Sequence, residues 1–198
     1  MKTATFLAKL ALLAAVGILL VQVAHAEERP CRNLALIVVG EDDTALTKTV
    51  ADFLRQELHC PVRILPVSRD LQEDPARQAA ELAKRKRPED ALLLALLNIP
   101  QDVSFASGVF VSHGVAMVNI WRLRPADADS TRYAWRIERE AMRAVGLLLG
   151  AASCPLPRCA LYEAKSEEEL DRNARNFCPP CQAKVERLLK ARDMLADE

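Results

Sequence analysis

Four of the six cysteines in this 198-residue chain stand close together near its C-terminal end. Cys154, Cys159, Cys178 and Cys181 follow the spacing C-x4-C-x18-C-x2-C. Four thiolates grouped in this way can fill the tetrahedral coordination shell of a closed structural zinc site. We therefore predict one structural zinc ion in a C-terminal cysteine knuckle at about residues 150–190, and a chain that must fold back on itself to build it.

The sequence leaves two other states open for these cysteines. In an oxidising compartment, the four thiols can close into two disulfides before zinc binds. Alternatively, Cys178 and Cys181 form a C-x-x-C motif at a predicted helix start, where a thiolate is stabilised and redox catalysis is possible. Against the redox interpretation, the motif lies at the far end of the chain and does not follow the first strand of a βαβ unit.

Residues 1–26 have the three parts of a secretory signal peptide. Lys2 and Lys9 give the positive start, Leu10 to Val21 the apolar run, and Ala24 to Ala26 the small-x-small cleavage site. The apolar run is short for a spanning helix, and an uncleaved anchor is the alternative. We expect an exported protein, periplasmic or secreted, with no stable membrane span after signal cleavage.

Residues 27–198 are expected to form one domain, long enough to bury a hydrophobic core. Without Lys2 and Lys9, 25 basic residues face 27 acidic ones, a net charge of 25 − 27 = −2. This balance predicts no nucleic-acid partner. The basic run from Lys84 to Arg87 ends a predicted helix, where cations complement the exposed carbonyls.

The pattern of apolar segments predicts an α/β architecture. Strands are predicted at 33–39, 61–67 and 91–99, with two short strands around the turn Ser112-His113-Gly114. Helices are predicted after Asp42 or Asp43, after Asp74, at 132–149, at 166–176 and from Pro180.

In the helix at 132–149, the predicted buried stripe is Trp135, Met142, Val145, Leu148 and Leu149. Glu138 and Glu140 lie on the same helix and are interpreted as surface residues, because carboxylates are seldom buried.

Cys31 and Cys60 stand just before the first two predicted strands. If these strands are parallel neighbours, both cysteines lie at the same end of the sheet, within reach of each other. In an exported protein we predict a disulfide between them, with two separate thiols as the alternative.

The stretch from Arg139 to Cys181 resembles the zinc-site region of archaemetzincins, a branch of the metzincin zinc peptidases. Those proteins carry H-E-x-x-H-x-x-G-x-x-H-C, followed by C-x4-C, a long spacer and C-x2-C. With Cys154 placed on the last cysteine of the motif, Gly150 stands on the motif glycine and Gly146 on a glycine often found within it.

The residues that carry the family's chemistry are absent in this register. Arg143, Leu147 and Ser153 occupy the three histidine positions, and Ala144 occupies the position of the catalytic glutamate. A metzincin needs three imidazoles on zinc and a glutamate that activates the bound water. The resemblance therefore implies a filled, degenerate catalytic site.

Two further observations agree with that interpretation. Only His59 and His113 follow the signal segment, and they belong to different predicted elements. Leu161 stands where the family's Met-turn has its methionine. Both histidines are expected to have structural roles.

A second register also fails to give a zinc site. Arg139, Glu140, Arg143 and Gly146 mimic H-E-x-x-H-x-x-G with arginine in place of histidine. Arginine stays protonated and has no lone pair for a metal.

The resemblance extends to the two short strands, the second of which, at Ala116 to Asn119, corresponds to the strand that in the family is the sheet edge lining the substrate cleft. The matching residues are Gly108, Gly114, Ala116, Met117, Val118, Asn119, Arg122 and Leu123.

The resemblance implies a metzincin-like α/β (α+β) fold: a mixed, mostly parallel twisted sheet with helices, followed by the cysteine knuckle and a helix. The expected function is that of an exported pseudo-peptidase with one structural zinc, which binds a peptide or protein in the old cleft or on another face. A metallopeptidase with atypical ligands and a thiol-disulfide oxidoreductase using Cys178 and Cys181 are the alternatives.

Overall fold

The computed structural model of the protein describes residues 31–100 and 108–195. The predicted signal peptide lies outside these residues, and Cys31–Glu198 form one compact unit. Within the described ranges, no helix is both long and apolar enough to cross a bilayer.

Five strands form one sheet in the order β2-β1-β3-β5-β4. Their ranges are β1 Asn33–Gly40, β2 Val62–Ile64, β3 Asp90–Asn98, β4 Val109–Ser112 and β5 Val115–Asn119. Only the β4–β5 pair is antiparallel among these five strands. The predicted mixed, mostly parallel sheet is confirmed.

The turn between β4 and β5 has two residues. Ser112 pairs with Val115, and His113 and Gly114 between them have φ angles of 53° and 70°. Two consecutive left-handed residues give the primed turn whose twist matches that of the flanking strands. The turn holds β4 against β5 at the edge of the sheet.

Five α-helices accompany the sheet in the described residues. They are α1 Thr44–Leu58, α2 Pro75–Ala83, α3 Ser130–Leu148, α4 Glu167–Arg172 and α5 Pro179–Lys190, with a 3-10 turn at Trp121–Leu123. Acidic or hydroxyl side chains cap the first four starts, as at Asp43, whose carboxylate accepts from Leu46 N at 3.0 Å. Such caps satisfy amide groups that have no partner within the helix.

Most element boundaries differ from the prediction by one or two residues, as in β3 and α3, and β2 and α4 differ more. β2 ends at Ile64, because Pro66 has no N–H to continue the ladder, and only Ser68 returns as an isolated bridge to Val39. α4 ends at Arg172 instead of near Asn176, and α5 starts at Pro179 instead of Pro180.

Two apolar layers cover the sheet. In β1, Leu34, Leu36 and Val38 pack with residues of α1, α3 and α5, whereas the alternating Ala35, Ile37 and Val39 pack with α2. A strand buried on both faces reads as a continuous apolar run. α3 therefore lies on the same side as the cysteine knuckle.

Two predictions about α3 are wrong. Trp135 is 37% exposed, because it lies at the margin of the buried face, where it contacts the guanidinium of Arg175. Glu138 and Glu140 are each only 6% exposed, because each has an arginine partner that offsets the cost of burying a carboxylate.

Candidate metal centre

The four C-terminal cysteines converge on one point. The sulfur atoms of Cys154, Cys159, Cys178 and Cys181 all lie within 4.8 Å of one another, and the Cys154 and Cys178 sulfurs are 3.9 Å apart. A tetrahedral zinc site with Zn–S bonds of about 2.3 Å requires sulfurs roughly 3.8 Å apart. The arrangement therefore fits one tetrahedral ion with thiolate ligands.

The turn that ends α3 delivers the first cysteine. Gly150 has a φ angle of +92°, and the Ala151 N–H donates to the Gly146 carbonyl at 2.9 Å. This is a common way for glycine to end a helix and reverse the chain. Cys154 follows, and its N–H donates to the Leu161 carbonyl at 3.2 Å.

The start of α5 delivers the last two cysteines. Cys178 is the N-cap of α5, and Cys181 lies in its first turn. The Cys178 N–H donates to the Cys159 sulfur at 3.4 Å. Amide groups and the positive end of the helix dipole both favour thiolates at this position.

The pKa values of the thiols differ within the group. Burial works to raise the pKa of Cys178, but the Cys181 backbone and the neighbouring thiols hydrogen-bond to it and lower the pKa overall. Burial raises the pKa values of Cys159 and Cys181. All four must lose their protons to bind zinc, so metal binding at this centre releases protons.

The burial of Cys178 bears on the redox interpretation. Cys178 is only 8% exposed and Cys159 is fully buried. A redox nucleophile must be accessible to its disulfide substrate as well as ionised. The depth of Cys178 thus favours a ligand over a redox nucleophile.

A second group of charged residues lies on α3. Arg139 and Arg143 are among the largest fully buried side chains, at 0% and 2% exposure. Glu140 accepts a hydrogen bond from the Arg139 guanidinium, and its other oxygen is 3.6 Å from Arg143 Nη1. We call these three residues the arginine triad.

The triad continues into the segment that follows Cys159. Arg139 Nη2 donates to the Tyr162 carbonyl at 2.6 Å, and Arg143 Nη2 lies 3.6 Å from a Glu163 carboxylate oxygen. Burial raises the pKa of Glu140 and lowers the pKa of Arg139, whereas their mutual attraction opposes both shifts. The charges are tolerated in the interior because they are paired.

Two more buried charges on α3 are paired in the same way. Arg136 is 2% exposed, donates to both Asp171 oxygens at 2.5 and 2.8 Å, and donates to Glu167 at 3.2 Å. Glu138 accepts a hydrogen bond from Arg175, whose guanidinium also lies 4.6 Å from the centre of the Trp135 ring.

Sequence reasoning did not find these pairs. The signal was nevertheless present, because residues 136, 139, 140 and 143 are charged at a spacing that places them on one helix face. The hydrophobic pattern of α3 led instead to a surface interpretation of its carboxylates.

The degenerate positions lie where the end of α3 leads into the knuckle. Arg143 and Ala144 are buried, Leu147 is partly buried and Ser153 is exposed. None of the four has a side chain that ligates zinc. In the described part of the chain, the cysteine group is the one cluster of potential metal ligands found.

The two histidines belong to other elements. His59 ends α1 with a φ angle of 53°, and His113 lies in the β4–β5 turn, where its Nδ1 is 2.7 Å from the Ser112 hydroxyl. They sit in different connections of the fold and do not join the cysteine cluster.

Cys31 and Cys60 precede neighbouring parallel strands. Leu34 pairs with Val62, which keeps both cysteines at one end of the sheet. Both are thiols in the structure. Burial, with a contribution from Cys31, raises the pKa of Cys60 to about 12. The disulfide between them stays a prediction.

The antiparallel strand β4 is an edge of the sheet. Its Val111 side chain is 41% exposed, close to the 42% of Ile64 on the opposite edge strand β2. An edge strand presents backbone groups that can pair with another extended chain.

Solved structures share this fold. An archaemetzincin from Methanopyrus kandleri aligns with a TM-score of 0.64 and 24% identity, covering 81% of this chain and 96% of its own. A zinc-dependent peptidase from Methanocorpusculum labreanum also aligns with a TM-score of 0.64, at 21% identity over 77% and 99% of the two chains. At these identities, the likeness establishes the fold.

Curated relatives match over part of the sequence. The archaemetzincin of Aeropyrum pernix is 36% identical over 72 residues, and that of Thermococcus kodakarensis is 30% identical over 79 residues. These matches cover 36% and 38% of this chain, and 38% and 42% of the relatives. The chain thus spans about two fifths of the length of the curated relatives it matches. No family model matches it.

Proposed function

We propose that this archaemetzincin-like protein is an exported pseudo-peptidase that holds one structural zinc ion and binds an extended peptide or protein without hydrolysing it. One observation carries the proposal. In the register set by Cys154, the catalytic positions hold Arg143, Ala144 and Leu147, and Arg143 is buried in ion pairs. A protonated guanidinium in that position repels a metal ion and fills its space.

The zinc part of the proposal is supported by the cysteine geometry. The four sulfurs lie at distances suited to a tetrahedral ion, and the Cys178 N–H donates a hydrogen bond to the Cys159 sulfur. Zinc would serve there as a closed structural site, because four protein ligands leave no position open for water or substrate.

The binding part of the proposal is based on the position of β4 at an edge of the sheet. A peptide can add to an exposed edge as a further strand, with backbone hydrogen bonds providing affinity. Val111 offers an exposed apolar side chain beside that edge. Binding of this kind requires no catalytic group, so it is compatible with the loss of the zinc histidines.

Zinc content is tested on protein exported by its own signal. Native mass spectrometry is expected to show one zinc ion per chain, lost with Cys154→Ser. Two tightly bound zinc ions, or chelator-sensitive cleavage of a peptide library, would support the atypical metallopeptidase instead.

Peptide binding is tested by NMR titration of the zinc-loaded protein with a library of extended peptides. We expect peptide addition to change the chemical shifts mainly at residues 109–112, and we expect these changes to disappear in Val111→Lys. Ile64→Lys is the matched control, because Ile64 is equally exposed on the other edge strand. Binding that survives Val111→Lys, or that is lost equally in both variants, would contradict the edge-strand site.

The oxidoreductase alternative predicts a different result. If Cys178 were a redox nucleophile, Cys178→Ser would abolish disulfide reduction in an insulin assay and leave stability unchanged. If Cys178 is a zinc ligand, the same variant loses zinc and stability, and the wild type shows no reductase activity.

A further inference from the structure

We infer that the charged face of α3 is an internal docking site for residues 160–177, and that metal binding at the cysteines controls whether this segment stays docked. We call residues 160–177 the knuckle loop. The inference rests on the proposed zinc site and is independent of peptide binding.

Carboxylates and an arginine of the knuckle loop pair with the buried charges of α3. Arg136 pairs with Glu167 and Asp171, Glu138 with Arg175, and Arg143 with Glu163. Arg139 adds a hydrogen bond to the Tyr162 carbonyl. About two turns of one helix are therefore matched to a single 18-residue segment.

The metal ligands close this loop at its base. Cys159 and Cys178 flank it directly, and the Ala160 N–H donates to the Asn176 carbonyl at 2.9 Å. Holding both ends on one ion removes the entropy that a free segment of this length would have. Zinc thus lowers the cost of bringing the carboxylates of the loop to the arginines of α3.

Between its two ends, the loop has few apolar contacts. Ala160, Leu161 and Phe177 at the ends are buried in the core, but Leu170 is the one buried hydrophobic residue in 162–176. Helix α4 in this middle part has six residues, too few to be stable alone. Without the metal, the loop is free to leave, and the buried charges of α3 are then reached by water. Because the coupling is reciprocal, weakening the ion pairs must also weaken metal retention.

Hydrogen exchange on the full-length zinc protein tests the first half of this inference. After zinc is removed with a chelator, we expect faster exchange in the knuckle loop and along α3, while β1 and β3 keep their protection. Exchange that is unchanged in the loop, or that rises uniformly through the sheet, would overturn the inference.

The reciprocal effect is tested by zinc release from Asp171→Asn. Asp171 lies between Cys159 and Cys178, seven residues from Cys178, and its carboxylate holds Arg136 in a bidentate pair. We expect zinc transfer to a chromogenic chelator to be about three- to tenfold faster than in the wild type. Glu167→Gln removes a longer and more exposed contact to Arg136 and is expected to have a smaller effect in the same direction.

Asp52→Asn is the matched control, because Asp52 pairs with Arg55 on the exposed face of α1. It is expected to release zinc at the wild-type rate, and circular dichroism checks that all variants fold. Equal release from Asp171→Asn and Asp52→Asn would overturn this inference alone. A wild-type protein that holds no zinc would overturn both the inference and the zinc site.

Discussion

At the residue scale, Gly146 shows how closely α3 packs against the knuckle. A Cβ atom at this position would lie 2.6 Å from the Leu161 side chain and 3.2 Å from the Phe177 ring. Alanine would otherwise favour a helix by up to about 1 kcal/mol. We expect Gly146→Ala to destabilise the protein by about 1 to 2 kcal/mol in urea unfolding, because the clash outweighs the helix propensity.

The double variant separates the clash from other effects of the alanine. In a Leu161→Ala background the space is open, so adding Gly146→Ala should cost much less than in the wild type. If the two substitutions lower the free energy of unfolding additively, the contact with Leu161 is not the cause of the destabilisation by Gly146→Ala.

A second prediction at this scale concerns Asp90, whose side chain is fully buried at the start of β3. Burial works to raise its pKa, but hydrogen bonds from Arg63 and from the Arg87 N–H, at 3.0 and 2.7 Å, lower the pKa overall. The stabilisation is therefore present above the unfolded-state pKa of about 4, and is lost as the pH falls through the lower folded-state pKa.

Asp90→Asn should remove that dependence. We expect it to lose about 2 kcal/mol of stability at pH 7 and to show a flatter loss of stability below about pH 4 in urea unfolding at several pH values. Glu89→Gln, whose partner Arg87 is largely exposed, is the control. If the stability of Asp90→Asn falls with decreasing pH as steeply as that of the wild type, other carboxyl groups cause the pH dependence.

At the scale of elements, α3 shows what sequence periodicity can and cannot predict. Met142, Val145, Leu148 and Leu149 were expected to be buried, and they are. The helix buries additional faces because the knuckle loop covers its charged side. Glu138 has its partner Arg175 37 residues away, and Arg139, which pairs with Glu140, bonds the Tyr162 carbonyl 23 residues away. A local sequence pattern does not contain these contacts.

The strands were easier to predict than the edges of the sheet. β1, β3 and β5 are buried on both faces, so their continuous apolar runs identify them. The cysteine cluster was predicted from its spacing and from the family resemblance, because four thiolates in this pattern can hold one zinc ion. The ion pairs of α3 could be identified only from the three-dimensional structure.

The arginine triad gives a prediction for α3 as an element. Glu140→Leu alone should destabilise the protein by about 3 to 5 kcal/mol, because two buried guanidinium groups lose their shared carboxylate. The triple variant Arg139→Met, Glu140→Leu and Arg143→Met should be within about 1 kcal/mol of the wild type in urea unfolding, since no buried charge is left unpaired. A triple variant as unstable as the single one would mean that the charges themselves are required.

At the scale of the whole molecule, we predict a disulfide between Cys31 and Cys60 that would tie the first strand to the second. Protein exported by its own signal should be ~2 Da lighter than its fully reduced form once zinc is removed. Cys31→Ala with Cys60→Ala should reduce stability by about 3 to 4 kcal/mol and leave zinc content unchanged. Two free thiols at these positions, detected by alkylation of the unfolded exported protein, would contradict the disulfide.

The buried position of Arg143 also has an evolutionary consequence. If the proposed pseudo-peptidase function holds, a return to peptidase activity would require histidine at 143, 147 and 153 and glutamate at 144. The first such change at Arg143 would leave Glu140 and Glu163 with fewer partners before any zinc is gained. Under that proposal, each intermediate would be less stable and would still lack zinc ligands, so the ion pairs make the missing site difficult to regain.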